Sequence, residues 1–113
     1  MKTKTEFLNN CRYPDLAKAV LNQMGADWKE LIKYPSDYRD AGAGVNGFIY
    51  YSETIPFAKK HLVKIMNALN EFETETGCHL NKPTDDETQF YNWLSWFALE
   101  NTIQELMDFL EVN

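Results

Sequence analysis

The feature that most restricts the fold of this chain is a long apolar stripe at helical spacing in its middle. Between Glu53 and Thr76, apolar side chains recur every three or four residues, as on one face of an α-helix. The stripe consists of Ile55, Ala58, Leu62, Ile65, Met66, Leu69 and Phe72. Pro56 suits a first turn and Gly77 suits a helix end. We therefore expect one helix from about Glu53 to Thr76 as the central element of the core.

Further helix signals lie on both sides of this stripe. A short helix is expected over residues 3–12, a second over 14–25 and a third from 27 to just before Pro35. Another begins near Thr84, where Glu87 completes a capping-box pattern. The 113 residues have the size of one domain. The sequence predicts a mainly α-helical domain over 1–113, with about five helices and an extended or β-like segment near 47–51.

The last predicted helix changes its apolar face partway along. At about 100° per residue, one side is formed by Phe90, Trp93, Leu94 and Phe97. The opposite side is formed by Leu99, Ile103, Leu106, Met107 and Leu110. Either the helix breaks or kinks near residues 98–101, or its two halves bury different faces. In the second case, one interpretation is that the second stripe, with Ile103 and Leu106 at its centre, contacts another chain. The alternative is that both sides of the helix belong to the core.

Charge is distributed unevenly along the chain. The formal net charge is −6, from 11 basic and 17 acidic residues. Residues 1–82 hold all 11 bases and ten acids, so the remaining seven acids lie in residues 83–113 without a single base. Such a segment repels nucleic-acid phosphate and favours a basic protein surface, although a solvated face that maintains solubility is an equal alternative. The candidate contact residues are Glu100, Glu105, Asp108 and Glu111.

Several classes of protein are not indicated. No apolar run approaches the length of about 18 residues that a membrane span needs, and no secretory signal is apparent, so we expect a cytoplasmic protein. Cys11 and Cys78 have no metal-type spacing, although one bridge between them stays open. The only histidines are His61 and His79, and no second pair of ligands accompanies Cys78-His79. We therefore expect no metal or other cofactor, and no catalytic residues.

A glycine-rich stretch imitates a phosphate-binding loop. Gly42, Gly44 and Gly47 give the spacing G-x-G-x-x-G. A dinucleotide site would need an apolar strand before the glycines and a helix beginning at the last one. Here a polar segment precedes them and the β-like "FIYY" follows, so we interpret the stretch as a turn. Tyr50 and Tyr51, just beyond it, are candidate contact residues, because tyrosine is enriched at binding hot spots.

The same region resembles a family of small proteins encoded by bacteriophages and prophages. The resemblance covers roughly residues 44–76 and lies in "GVNGFIYYSETIPF" and the lysine-rich amphipathic helix that follows it. It implies a phage or mobile-element origin and no catalytic residue. Phage proteins of this size often act by binding a host protein, and this raises the expectation of an inhibitor.

These observations lead to two hypotheses of function. The first is a non-enzymatic protein that blocks a host defence complex, such as a CRISPR effector, by placing its acidic C-terminal face on a basic surface. The second is a homo-oligomeric phage accessory or structural protein that buries the Leu99–Leu110 stripe against itself. Neither involves direct contact with nucleic acid or a membrane.

Overall fold

A computed structural model describes residues 2–32 and 51–111, and these residues are largely helical. The α-helices are α1 (Lys4–Asn10), α2 (Pro14–Met24), α3 (Tyr51–Lys60), α4 (Leu62–Thr76) and α5 (Glu87–Glu111), and a 3₁₀ helix (Gly25–Ile32) follows α2. In these two ranges there are five α-helices and no strand, so the predicted mainly α-helical class is confirmed. Pro14 opens α2, and Gly25, with a φ of 64°, ends it, as the sequence predicts.

The predicted helix from Glu53 to Thr76 is two helices. It begins earlier, at Tyr51, and is interrupted at His61, whose φ of −107° and ψ of 18° depart from helical values. Gly77 ends α4 with a φ of 70°, as expected. Pro56 lies inside α3 rather than in its first turn, where its missing N–H removes one bond of the helical ladder. The sequence did not reveal this break, because the apolar side chains keep the same helical spacing before and after His61.

The last helix is continuous, and it begins later than predicted. Asp86, rather than Thr84, caps it: the Asp86 carboxylate accepts a hydrogen bond from the Gln89 N–H, at 3.1 Å. From Glu87 the helix runs for 25 residues without a break. Among the helices that the structure describes, none is both long and apolar enough to cross a membrane.

Helix α5, and not the 53–76 segment, occupies the centre of the fold. It packs against α2, the 3₁₀ helix, α3 and α4. Its buried residues are Leu94, Ser95, Phe97, Ala98, Leu99, Thr102, Ile103 and Leu106. Both apolar sides of the helix are therefore core. The interpretation of Ile103 and Leu106 as contact residues is wrong at these two positions, because each is 0% exposed within its own chain.

Several expectations concern residues 33–50, which lie outside the described ranges. They are the glycine stretch from Gly42 to Gly47, Tyr50, and most of the extended segment near 47–51. Tyr51 is described as the first residue of α3, so at this position the expectation of extended backbone is wrong. The predicted helix from residue 27 is a 3₁₀ helix that starts at Gly25.

Because Leu106 lies in the core, Leu106→Ala should destabilise the fold by about 2–5 kcal/mol, through lost burial and the cavity left behind. Chemical denaturation monitored by circular dichroism measures this free energy of unfolding. Met107→Ala is the matched control, since Met107 is only half-buried and should cost clearly less. A stable Leu106→Ala variant that instead dissociates from an oligomer would restore the interface interpretation.

Candidate interaction surface on the last helix

The solvent-facing side of α5 brings together acidic side chains from successive turns. Asp108 and Glu111 are exposed and Glu100 is half-buried. At about 100° per residue these three positions fall within one quadrant of the helix, opposite its buried side. Gln104 lies between them, and its side-chain amide donates to Asp108 Oδ1 at 3.0 Å. We call Glu100, Asp108 and Glu111 the acidic ridge.

Glu105, the fourth predicted acid, does not belong to this ridge. It is half-buried, and its Oε2 accepts a hydrogen bond from the Arg12 backbone N–H at 3.3 Å. Its other oxygen, Oε1, is buried and makes no hydrogen bond. Burial raises the pKa of the Glu105 carboxyl, and the Arg12 charge and N–H only partly oppose this. Glu105 therefore serves internal packing between the α1–α2 connection and α5.

Arg12 joins that connection to two other helices. Its guanidinium donates to Glu71 Oε2 on α4 at 3.0 Å and to Asn101 Oδ1 on α5 at 3.2 Å. The Lys64 ammonium donates to the Arg12 carbonyl oxygen at 3.0 Å. These bonds are exposed, so each contributes little stability, about 0–1 kcal/mol, but together they fix the connection. No sequence signal marks Arg12 for this position, because its partners lie 59 and 89 residues away.

Four aromatic rings continue across α4 and α5 beside the acidic ridge. The Phe72 ring meets the Phe97 ring edge-on at 5.9 Å, Phe97 stacks on Trp93 at 5.9 Å, and Trp93 contacts Trp96 at 5.9 Å. Phe97 is 5% exposed, whereas Phe72 and Trp96, at the two ends, are 37% and 40% exposed. We call these four residues the aromatic row. Trp96 lies one helical turn before Glu100 on the same face of α5.

A second polar cluster lies where α3 meets α4. The His61 Nε2 atom lies 3.1 and 3.0 Å from the two carboxylate oxygens of Asp15, and the Lys60 ammonium is 3.4 Å from Asp15 Oδ2. The His61 ring also packs against the rings of Tyr13 and Phe57, at 5.4 and 4.9 Å. The pair therefore ties α2 to the break between the two helices. Sequence patterns did not place Asp15 and His61 together.

The pKa values of this cluster reflect burial and hydrogen bonding. Burial pushes the pKa of Asp15 upward, but the hydrogen bond to His61 and its positive charge outweigh burial and lower that pKa. Burial raises the pKa of Tyr13 to about 12, and its hydroxyl, which is buried, makes no hydrogen bond. Tyr13 is therefore a neutral core residue at any physiological pH.

Other candidate chemistry is limited in the ranges that the structure describes. A groove of about 540 Å³ between α1 and the end of α5 is lined by Glu6, Glu105 and Asp108, with Phe7 and Phe109. The ammonium of Lys2 lies 5.7 Å from the centre of the Phe109 ring and donates to the Leu110 carbonyl oxygen. No group of three metal-ligating side chains occurs within residues 2–32 and 51–111. Cys11 and Cys78 are both free thiols, so they do not form a bridge.

Asp15→Asn should weaken the fold by about 1 kcal/mol at pH 7, since it removes the ionised acceptor of a partly exposed hydrogen bond to His61. The lowered pKa means that the native state favours the ionised carboxylate. Its stabilising contribution is therefore present above the ordinary pKa of 3.8 and is lost as the pH falls below it. Chemical denaturation of the parent and of Asp15→Asn, at pH values above and below 3.8, measures the difference in their free energies of unfolding. Asp108→Asn, on an exposed residue, should change stability by less than about 0.5 kcal/mol.

Glu105→Gln should change the stability of the fold in the opposite direction to Asp15→Asn. The variant retains an oxygen that can accept from the Arg12 N–H, and it removes a carboxylate whose pKa is raised by burial. Its stability at pH 7 should equal or slightly exceed that of the parent, and this advantage should disappear as the pH falls below 4.5, where the carboxyl of the parent becomes protonated in both the folded and the unfolded state. A large loss of stability at pH 7 would show that the Glu105 charge supports the fold.

Comparison with known proteins extends over most of the chain. A family model described as "Domain of unknown function (DUF7222)" matches residues 13–112, from the end of the α1–α2 connection through α5. No curated protein and no solved structure matches the chain. The chemistry of the described surface is therefore the basis on which a function is inferred.

Proposed function

We propose that this chain, which belongs to the DUF7222 family of domains of unknown function, is a non-enzymatic module that binds a basic surface of another protein. The observation that carries the proposal is the acidic ridge of Glu100, Asp108 and Glu111, on a helix that contains no Lys or Arg. The proposal replaces the predicted contact set, because Glu105, Ile103 and Leu106 have internal roles.

The ridge is suited to attract a cationic partner. A rise of about 1.5 Å per residue separates Glu100 from Glu111 by about 16 Å along the axis, within the reach of one protein contact. No basic residue in positions 83–113 neutralises this helix from its own sequence. Among the described residues, Lys59 pairs with Glu87 at 3.6 Å and Lys60 with Asp15. A field of one sign accelerates association with basic surfaces and opposes phosphate.

The partner class that we favour is a host complex that handles nucleic acid. Such a complex has a basic surface that normally holds phosphates, and an acidic helix can cover it. The resemblance of residues 44–76 to small phage proteins supports a host target. The corresponding role is to block a defence complex, such as a CRISPR effector.

A homo-oligomeric accessory role is the second candidate. The Leu99–Leu110 stripe no longer supports it at its buried positions. The observation that favours it is the exposure of Trp96 and Phe72, because exposed large apolar side chains mark contact sites. Sedimentation of the full chain on its own measures this self-association, and a stable oligomer would support the second candidate.

Replacing the ridge by Glu100→Gln, Asp108→Asn and Glu111→Gln should reduce capture of the partner at least about tenfold at low salt, because association depends on exposed charges. The measurement is affinity capture from bacterial lysate at about 50 mM and about 500 mM salt, with mass spectrometry, since higher ionic strength screens these charges. The parent should retain one nucleic-acid-handling complex at low salt and release it at high salt.

Glu105→Gln is the matched control for charge. It removes one carboxylate from the same helix but outside the ridge, so capture should change less than with Glu111→Gln alone. Circular dichroism of each bait verifies that the helices are intact. Equal capture by the parent and the triple variant would disprove the ridge as the contact surface.

A further inference from the structure

Residues 2–10, which comprise α1 and the residues just before it, lie on the end of α5 across a seam that is only partly filled. We call these residues the strap. We propose that the strap undocks from α5 while the rest of the domain stays folded, and that the carboxylates lining the groove between them set how often it does so. This inference goes beyond the proposed function, because it concerns a conformational change within the chain and not its partner.

The first step in the argument is how little of the strap is buried. Of the seven residues of α1, only Phe7 is buried. Helix α2, by contrast, buries Leu16, Ala17, Val20, Leu21 and Met24. The Phe7 ring lies 5.5 Å from the Phe109 ring, and the Lys2 ammonium donates to the Leu110 carbonyl oxygen at 3.0 Å. An element with so few buried apolar contacts opens locally more readily than the core does.

The second step is the groove that separates the strap from α5. Its volume of about 540 Å³ shows that the two do not pack closely along the seam. Carboxylates line it from both sides, with Glu6 on the strap and Glu105 and Asp108 on α5. Of the lining residues that the structure describes, Lys2 is the one cation. Like charges on the two sides repel one another at neutral pH, so they oppose docking of the strap.

The third step is that the strap can leave without unfolding its neighbours. The chain is fixed just beyond it, because Tyr13 is fully buried and the Arg12 guanidinium bonds to α4 and α5. The family model begins at residue 13, so the strap lies outside the segment that this model describes. Helix α1 is also shorter than the roughly 12–15 residues that an isolated helix needs in water, so an undocked strap loses its helical hydrogen bonds.

The carboxyl of Glu105 makes docking depend on pH. The titratable and charged groups around it are Lys2 and Glu6 of the strap, Cys11, Arg12 and Tyr13 of the connection, Asp108 of α5, and Lys64 and Glu71 of α4, which bond to Arg12. Burial raises the pKa of Glu105 from 4.5, and the Asp108 charge adds to the rise, while Arg12 opposes it. Since the docked strap contributes to this burial, docking strengthens as the pH falls through the raised pKa, and the effect is complete below 4.5.

The test measures hydrogen exchange of backbone amides in the full chain by NMR. Protection factors, which correct for the intrinsic rate at each pH, are compared between residues 7–10 of the strap and residues 65–69 of α4. In the parent, the strap should be at least about tenfold less protected than α4, because it opens locally. Asp108→Asn and Glu105→Gln should each raise protection of the strap roughly twofold and leave α4 unchanged, because each removes a charge that faces Glu6.

Glu111→Gln is the matched control for charge. Glu111 is an exposed acid on α5 that does not line the groove, so its replacement should leave protection of the strap unchanged. Lys2→Met should lower this protection roughly threefold, since it removes the ammonium that donates to the Leu110 carbonyl oxygen. Lys4→Met removes a cation outside the groove and should not lower it. Lowering the pH from 7 to 4.5 should raise protection of the strap in the parent, and raise it less in Glu105→Gln.

Two outcomes would overturn the proposal. Equal protection of the strap and α4 in the parent would show that the strap opens only when the whole domain unfolds. Fast exchange of the strap that responds neither to pH nor to Asp108→Asn and Glu105→Gln would identify α1 as an ordinary frayed terminus. Because no partner is present in these measurements, either failure leaves the capture experiment on the acidic ridge unaffected.

Discussion

Burial of α5 on most of its circumference is the constraint on which the rest of this structure depends. Four other helical elements cover it, and the residues they cover follow one another around the helix from Leu94 to Leu106. Because these neighbours take up so much of the helix, only a narrow side reaches solvent. The polar side chains of α5 are concentrated on that side, and the acidic ridge is therefore a consequence of how the core is built.

The class of fold could be predicted from the sequence because helical spacing and caps are local properties. Pro14 and Gly25 delimit α2 and Gly77 ends α4, each through its own backbone preferences. The break at His61 could not be predicted in this way. It coincides with the contact between His61 and Asp15, and this contact joins residues that are 46 positions apart. Spacing carries no information about such a partner.

The candidate surface was predictable only in part. The absence of Lys and Arg after residue 82 drew attention to α5, and three of the four predicted contact acids lie on its solvent-facing side. Glu105 was misplaced because a count of charges does not show which acids face the core. Ile103 and Leu106 were misplaced because an apolar stripe has the same pattern against its own chain as against another. The angular position of Trp96 beside Glu100 was available from helical geometry, but no sequence pattern showed that 40% of the Trp96 surface is exposed.

The continuity of α5 also limits how this surface can change in evolution. Core residues and ridge residues alternate along one uninterrupted helix of 25 residues. A single inserted or deleted residue between Trp96 and Glu111 would rotate everything beyond it by about 100°, moving acids into the interior and leucines into water. Substitution on the exposed side has no such effect. Relatives should therefore vary the chemistry of this face one side chain at a time while the length of the helix stays fixed.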